Sequence, residues 1–178
     1  MVIPNMEILY RLVAITGISG LIGIEREYHA KPAGLRTNVM VGLASTIMTI
    51  AGIRALDLYV GAPIDPTRIA GQIITGVGFI GAGAILRPGK SNVIGLTTAA
   101  TLFVVSGLGI AVGMGLYYEA LVTTALVFFT FFGLGKLVRF VRRHSHLYPT
   151  EQSAFEHDED VLRHSDVRET NHEASREK

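Results

Sequence analysis

At 178 residues, 49% hydrophobic and with a mean hydropathy of +0.40, the chain is not an ordinary soluble domain. It has no cysteine, which excludes disulfides, thiolate catalysis and cysteine metal sites. A net charge of +1 hides a segregated pattern, short charged clusters between apolar runs and then a dense block after Lys136, and argues for no acidic partner such as nucleic acid.

The N-terminus lacks a basic region and a small-residue cleavage site, so the first apolar run, residues 6–24, is expected to stay in the membrane as span one. Glu7 and Arg11, one turn apart near its start, can pair and snorkel at the interface. Gly17, Gly20 and Gly23 mark it as a close-packing helix. Span two is predicted over 38–56, with Arg54 and Asp57 placed to pair at its outer end. Span three, 69–86, is crowded with Gly71, Gly76, Gly78, Gly81 and Gly83. Each such glycine costs on the order of 1 kcal/mol in a soluble helix, but in lipid it lets neighbours approach closely. Small-residue stripes on two sides predict a central helix packed by several neighbours. Asp65 reads as its N-cap, with Pro66 at the first helical position. Span four, 93–112, is threaded with Thr97, Thr98, Thr101 and Ser106. Span five, 116–134, carries Phe128, Phe129, Phe131 and Phe132 and is expected to be lipid-facing or peripheral. Residues 1–135 thus form an all-α transmembrane domain of five helices, and 136–178 form a polar, charged tail.

Lysines and arginines near the spans set the orientation. One side holds Arg26, Lys31, Arg36, Arg87, Lys90, Lys136, Arg139, Arg142 and Arg143, and the other only Arg11, Arg54 and Arg68. The richer side is expected to be cytoplasmic, leaving the N-terminus outside and the tail inside. The basic run Lys136 to Arg143 is placed to rest on anionic headgroups. The tail beyond it has few apolar residues and five of the six histidines at irregular spacing, the pattern of a solvated tail rather than a metal site.

The stretches GLIGIEREYHAKPAGLRTNVMVG (20–42), DPTRIAGQIITGVGFIGAGAILR (65–87) and GLTTAATL (95–102) resemble the MgtC/SapB family of bacterial inner-membrane proteins, over about residues 7–135. The resemblance implies a multi-pass inner-membrane protein with a role in magnesium homeostasis and, in some members, adaptation to acid or to host cells. It also implies regulation of other membrane proteins, such as an ion transporter or the rotary ATP synthase. Two departures stand out. Long members carry a folded cytoplasmic domain after the membrane part, where this sequence has a short polar tail. Ile94 stands just before GLTTAA where relatives usually have an arginine.

Three constellations could carry chemistry. Glu25, Arg26, Glu27, Lys31 and Arg36 cluster at the inner end of span one, where a carboxylate tucked under the bundle would pair with Arg36 or Arg87. Asp65 and Arg68 sit at the outer mouth of span three, as cap and helix-start pair or as a gate. Gln72, Thr75, Thr97, Thr98 and Thr101 are the polar groups at membrane depth; their hydroxyls either bond back to their own helices or line a path between spans three and four. Carboxylate oxygens suit magnesium, so Glu25, Glu27 and Asp65 are the candidate metal contacts, but two acids mixed with several cations make a poor cage and no cofactor is expected. No acidic or histidine side chain lies in mid-span, which counts against a proton relay. The run GVGFIGAG lacks the preceding strand of a dinucleotide loop, and no HExxH or P-loop is present, so no enzyme is expected. The sequence therefore predicts a non-enzymatic, homodimeric membrane regulator linked to magnesium or ion balance. The alternative is an ion carrier with Glu25 and Asp65 at its mouths.

Overall fold

The computed structural model describes residues 3–58, 65, 67–85 and 94–134. The chain divides into two units, Met1–Thr130 and Phe131–Lys178, and the described helices lie almost entirely in the first. The expected tail, Arg87, Lys90 and the side chain of Asp57 fall outside the described residues.

The described residues form five α-helices in order: α1 (Asn5–Tyr28), α2 (Leu35–Leu58), α3 (Thr67–Ala84), α4 (Leu96–Met114) and α5 (Tyr117–Phe129), the last continued by a short π-helical turn, Thr130–Leu134. The 24 residues of α1 extend over about 36 Å at 1.5 Å each, enough for a hydrocarbon layer of about 30 Å. Among the described residues four segments are long and apolar enough to cross a membrane: Asn5–Tyr28, Leu35–Ala55, Leu96–Met114 and Tyr117–Leu134. The glycine-rich helix α3 is not among them; its 18 residues include Arg68, Gln72 and five glycines, which dilute its apolarity.

The centre of the bundle is α4, not the glycine-rich helix. It packs against α1, α2, α3 and α5, whereas α3 packs against α4 and α2. Ile73, Val77 and Gly81, one turn apart, are the buried stripe of α3. Gly81 lies against Ala99, where an added Cβ would meet the alanine methyl at 3.5 Å, but a Cβ on Gly71, Gly76, Gly78 or Gly83 would meet nothing within 4 Å. Branched aliphatic side chains gain more contact than bare backbone, so α3 turns Ile73 and Val77 inward and leaves most of its glycines out.

The glycines that are closely packed belong to α1, α2 and α4. A Cβ on Gly109 would lie 2.7 Å from the Gly42 carbonyl oxygen and from Ser45 Cβ. On Gly113 it would lie 2.7 Å from Thr49 Cβ, and on Gly42 3.0 Å from Ile15 Cγ1 and Ser19 Oγ. On Gly23 it would lie 2.7 Å from the Leu35 Cα. Of the three glycines expected to pack on α1, Gly23 does so, Gly20 makes ordinary contact with Leu35 and Val39, and Gly17 faces open space. At the far end of α4, Gly115 adopts φ 86° and ends the helix, with its N–H bonded to Val112 O and that of Leu116 to Ala111 O. Helix α5 packs on α4, buries Ala120 and Thr124, and leaves Phe129 exposed, the peripheral position its phenylalanines suggest.

Gly109→Ala and Gly113→Ala should each destabilise the fold by about 1–3 kcal/mol, the range for overpacking. Gly76→Ala should be neutral or stabilise by up to about 1 kcal/mol, because the site is open and alanine is the better helix former. Thermal unfolding of the three variants in detergent measures the difference.

Candidate functional site

The charged turn between α1 and α2 is the densest polar construction in the described fold. Glu27 crosses the turn, and its Oε2 accepts the Leu35 N–H at 2.9 Å, capping the start of α2. Gly34 makes room for it, since a Cβ there would lie 2.8 Å from Glu27 Oε2. Ala30 and Ala33 take positive φ values of 49° and 56°, a conformation that costs alanine about 1–2 kcal/mol. The turn is held by Ala30 N–H to Glu27 O at 3.0 Å and Lys31 N–H to Arg26 O at 2.9 Å. The buried Asn38 amide adds bonds to Ala33 O at 2.7 Å and Gly34 O at 2.9 Å.

Of the two carboxylates Glu25 is the sheltered one, its side chain 9% exposed. Its Oε2 lies 3.6 Å from Arg26 Nη1 and its Oε1 3.1 Å from His29 Nδ1. Arg36 points to solvent and takes no part in these contacts. Arg26 is adjacent in sequence and His29 is one turn on along the same face, so both reach Glu25 without crossing the turn. Glu25 and Glu27 diverge, one toward His29 and the other toward α2. Among the described residues no group of three His, Asp or Glu side chains could hold a metal ion.

At the start of α3, Asp65 and Arg68 are both exposed, and the Arg68 N–H donates to the Asp65 carbonyl at 3.2 Å. The polar side chains expected at depth do not share one line. Gln72, Thr75 and Thr97 are exposed, while Thr98 and Thr101 are buried. Thr75 and Thr101 bond back to Gly71 O at 2.9 Å and Thr97 O at 2.8 Å, the self-satisfied state expected of helical threonines.

Two features escaped the sequence reading. The first is a buried polar stripe on α2, Asn38, Ser45, Thr46 and Thr49, facing Ser19 of α1 and the glycines of α4. Within it, Thr46 Oγ1 donates across to Gly109 O at 2.9 Å. The spacing 38, 42, 45, 49, with Gly42 in register, is its sequence signal. The second is the depth of Arg11. It pairs with Glu7 as expected, Nε to Oε1 at 3.1 Å, yet it is only 9% exposed rather than snorkelling, and its Nη1 donates to Gly113 O at 2.6 Å. The last carbonyls of α4 have no helical donor and form the negative end of the helix dipole, so a cation is compensated there. Tyr117 completes the tie by donating its hydroxyl to Glu7 Oε1 at 2.6 Å. Arg54 donates to Ile3 O at 3.0 Å, tying α2 to the start of α1, while its expected pairing with Asp57 rests on a side chain outside the described residues.

Arg11→Met should cost about 1.5–3 kcal/mol, the range for a hydrogen bond to a charged group, and should loosen the α4–α5 corner. Glu27→Ala should cost about 1 kcal/mol through the lost cap, and Glu27→Gln less, because the amide oxygen still accepts. Chemical unfolding of the purified variants reads both.

Comparisons with known proteins identify the family. The model of the MgtC family matches residues 12–140. SapB of Bacillus subtilis strain 168 is 44% identical over 117 residues, 64% of this chain and 50% of SapB. The Escherichia coli K12 protein named "Putative magnesium transporter YhiD" is 44% identical over 117 residues, 62% of this chain and 53% of its own. MgtC of Salmonella typhimurium LT2 is 39% identical over 119 residues, 67% of this chain and 48% of MgtC. The chain spans about half the length of these relatives. No solved structure matches it. With the family model covering most of its length and relatives in three genera, the chain belongs to the MgtC family.

Proposed function

We propose that this protein is a non-enzymatic regulator in the bacterial inner membrane, linked to magnesium or ion balance, and acting by contact with other membrane helices. In this reading α3 crosses the bilayer as a fifth span, with the N-terminus outside and the charged α1–α2 turn in the cytoplasm. The observation that carries the reading is the contrast between two sets of glycines. At Gly23, Gly42, Gly109 and Gly113 of α1, α2 and α4 neighbours leave no room for a Cβ, whereas at Gly71, Gly76, Gly78 and Gly83 of α3 a Cβ would meet nothing. In lipid the two open stripes, Gly71 with Gly78 and Gly76 with Gly83, gain from a close helix partner. A second copy of the chain, or another membrane protein such as an ion transporter or ATP synthase, would supply it.

Direct ion transport is the second reading. It is favoured by the name that YhiD carries and by the buried polar stripe of α2. Against it, Ser19 and Thr49 donate to carbonyls of their own helices, at 2.6 and 2.8 Å, and the contacts at Gly42, Gly109 and Gly113 close the interior around them.

Two measurements divide the readings. Purified protein in liposomes loaded with a magnesium indicator is expected to give no flux above empty liposomes; saturable flux that is lost in Thr46→Val would establish the transporter. Gly76→Leu is expected to leave thermal unfolding of the isolated chain unchanged while abolishing cross-linking in membranes to itself or to a partner. Retained cross-linking would remove α3 as the contact face.

A further inference from the structure

Helix α5 is joined to α4 through Gly115 and Leu116 alone. Gly115 takes φ 86°, where a side chain would be strained and glycine turns freely. Two buried residues, Ala120 and Thr124, seat α5 on α4, and over 125–130 no residue is buried. The seat therefore lies in the first two turns, next to the joint, and a helix so sparsely packed belongs to the least stable part of a fold. The polar contacts gather at the same joint. The Arg11 guanidinium lies over it, since a Cβ on Gly115 would be 3.1 Å from Arg11 Nη2, and Nη1 donates to Gly113 O at 2.6 Å. Glu7 Oε1 accepts from Arg11 Nε at 3.1 Å and from the hydroxyl of Tyr117, the first residue of α5, at 2.6 Å.

We propose that this corner is a latch: the charged Glu7 carboxylate holds α5 against the bundle, and its protonation lets α5 swing about Gly115. A neutral Glu7 withdraws the counter-charge from Arg11, a cation only 9% exposed. The two charge-assisted bonds at Oε1 then fall to the strength of neutral ones, roughly half. The Glu7 side chain is 34% exposed, so a proton reaches it from water. Among the described residues no other group supplies the same switch. Arg11 and Tyr117 keep their protons throughout the acid range. Tyr10, Tyr118 and Glu119 are exposed and bond to none of the three. Arg54 of α2 is engaged with Ile3 O and Asn5 Oδ1, at 3.0 and 3.4 Å, and α4 has no titratable side chain. Acidification at this end of the bundle thus frees α5 to open away from the face of α4 that Ala120 and Thr124 cover, and a return to neutral pH closes it.

The sequence has no cysteine, so spin labels can be placed in pairs without removing a native thiol. Val13→Cys on α1 with Leu126→Cys on α5 reads the latch, and Val13→Cys with Met48→Cys on α2 is the reference; all three side chains are exposed. Distances are measured on the full chain in lipid nanodiscs at about pH 7 and about pH 3.5, on either side of the ordinary glutamate value of about 4.3. At neutral pH the α1–α5 pair is expected to give one narrow distance, and at acid pH a second, longer one, while the reference pair stays narrow at both. Glu7→Gln, which keeps an acceptor but not the charge, should show the longer distance already at neutral pH. Tyr117→Phe, which keeps the Glu7–Arg11 pair but loses the tie to α5, should do the same. A single, unchanged α1–α5 distance on acidification would overturn the proposal, as would a Glu7→Gln distribution that matches the unsubstituted chain at neutral pH. Broadening of the reference pair together with the α1–α5 pair would also overturn it, because the whole bundle would then be loosening rather than turning at Gly115.

Discussion

Gly109 and Gly113, one helical turn apart, let α4 lie against α2 closer than any side chain would allow. The contact is backbone to backbone, with Gly109 on the Gly42 carbonyl and Gly113 on Thr49, and Thr46 spans it with a hydrogen bond to Gly109 O. Lipid is as apolar as a leucine side chain, so helices in a bilayer associate by close packing and interhelical hydrogen bonds rather than by escaping water. The rest of the bundle is arranged around this pair. Helix α1 packs on it through Ile15 and Ser19 at Gly42, α3 leans on it through Gly81, and α5 is tied back through Tyr117 and Glu7.

Charge is placed where helix ends can compensate it. Arg11 lies buried at the carbonyl end of α4, and Glu27 caps the amide end of α2. Both meet backbone groups that have no partner within their own helix, so the charges are satisfied at the helix ends. The same economy explains the two ends of the molecule. The end with Glu7, Arg11 and Tyr117 holds three helices together, whereas the end with Glu25, Glu27 and His29 holds one turn.

Much of this was legible from residues alone. Apolar runs of span length mark the helices within a few residues, and the motifs around 20–42 and 65–102 carry the family likeness. The Glu7–Arg11 pair follows from helical spacing, as does the return of Thr75 and Thr101 to their own carbonyls. The glycines misled. Crowding on α3 looked like the centre of the bundle, but glycine permits close approach without compelling it, and Ile73 and Val77 offered α4 more contact. Of the two cations expected to pair with a tucked carboxylate, Arg36 is exposed and Arg87 lies outside the described residues, while Glu25 lies nearest to Arg26 and His29.

By itself the sequence determined that this is an all-helical chain with long apolar segments, no thiol chemistry and charge gathered at the ends of its helices. Those properties are set by hydropathy and by the local spacing of side chains along a helix, and both are written in the order of residues. Only the tertiary structure decided which glycines are packed and which are open, that Arg11 is buried against Gly113, and that a polar stripe on α2 faces the core. Each of these depends on which helix faces which, a choice made by the summed contacts of residues tens to a hundred positions apart, and no local pattern encodes it.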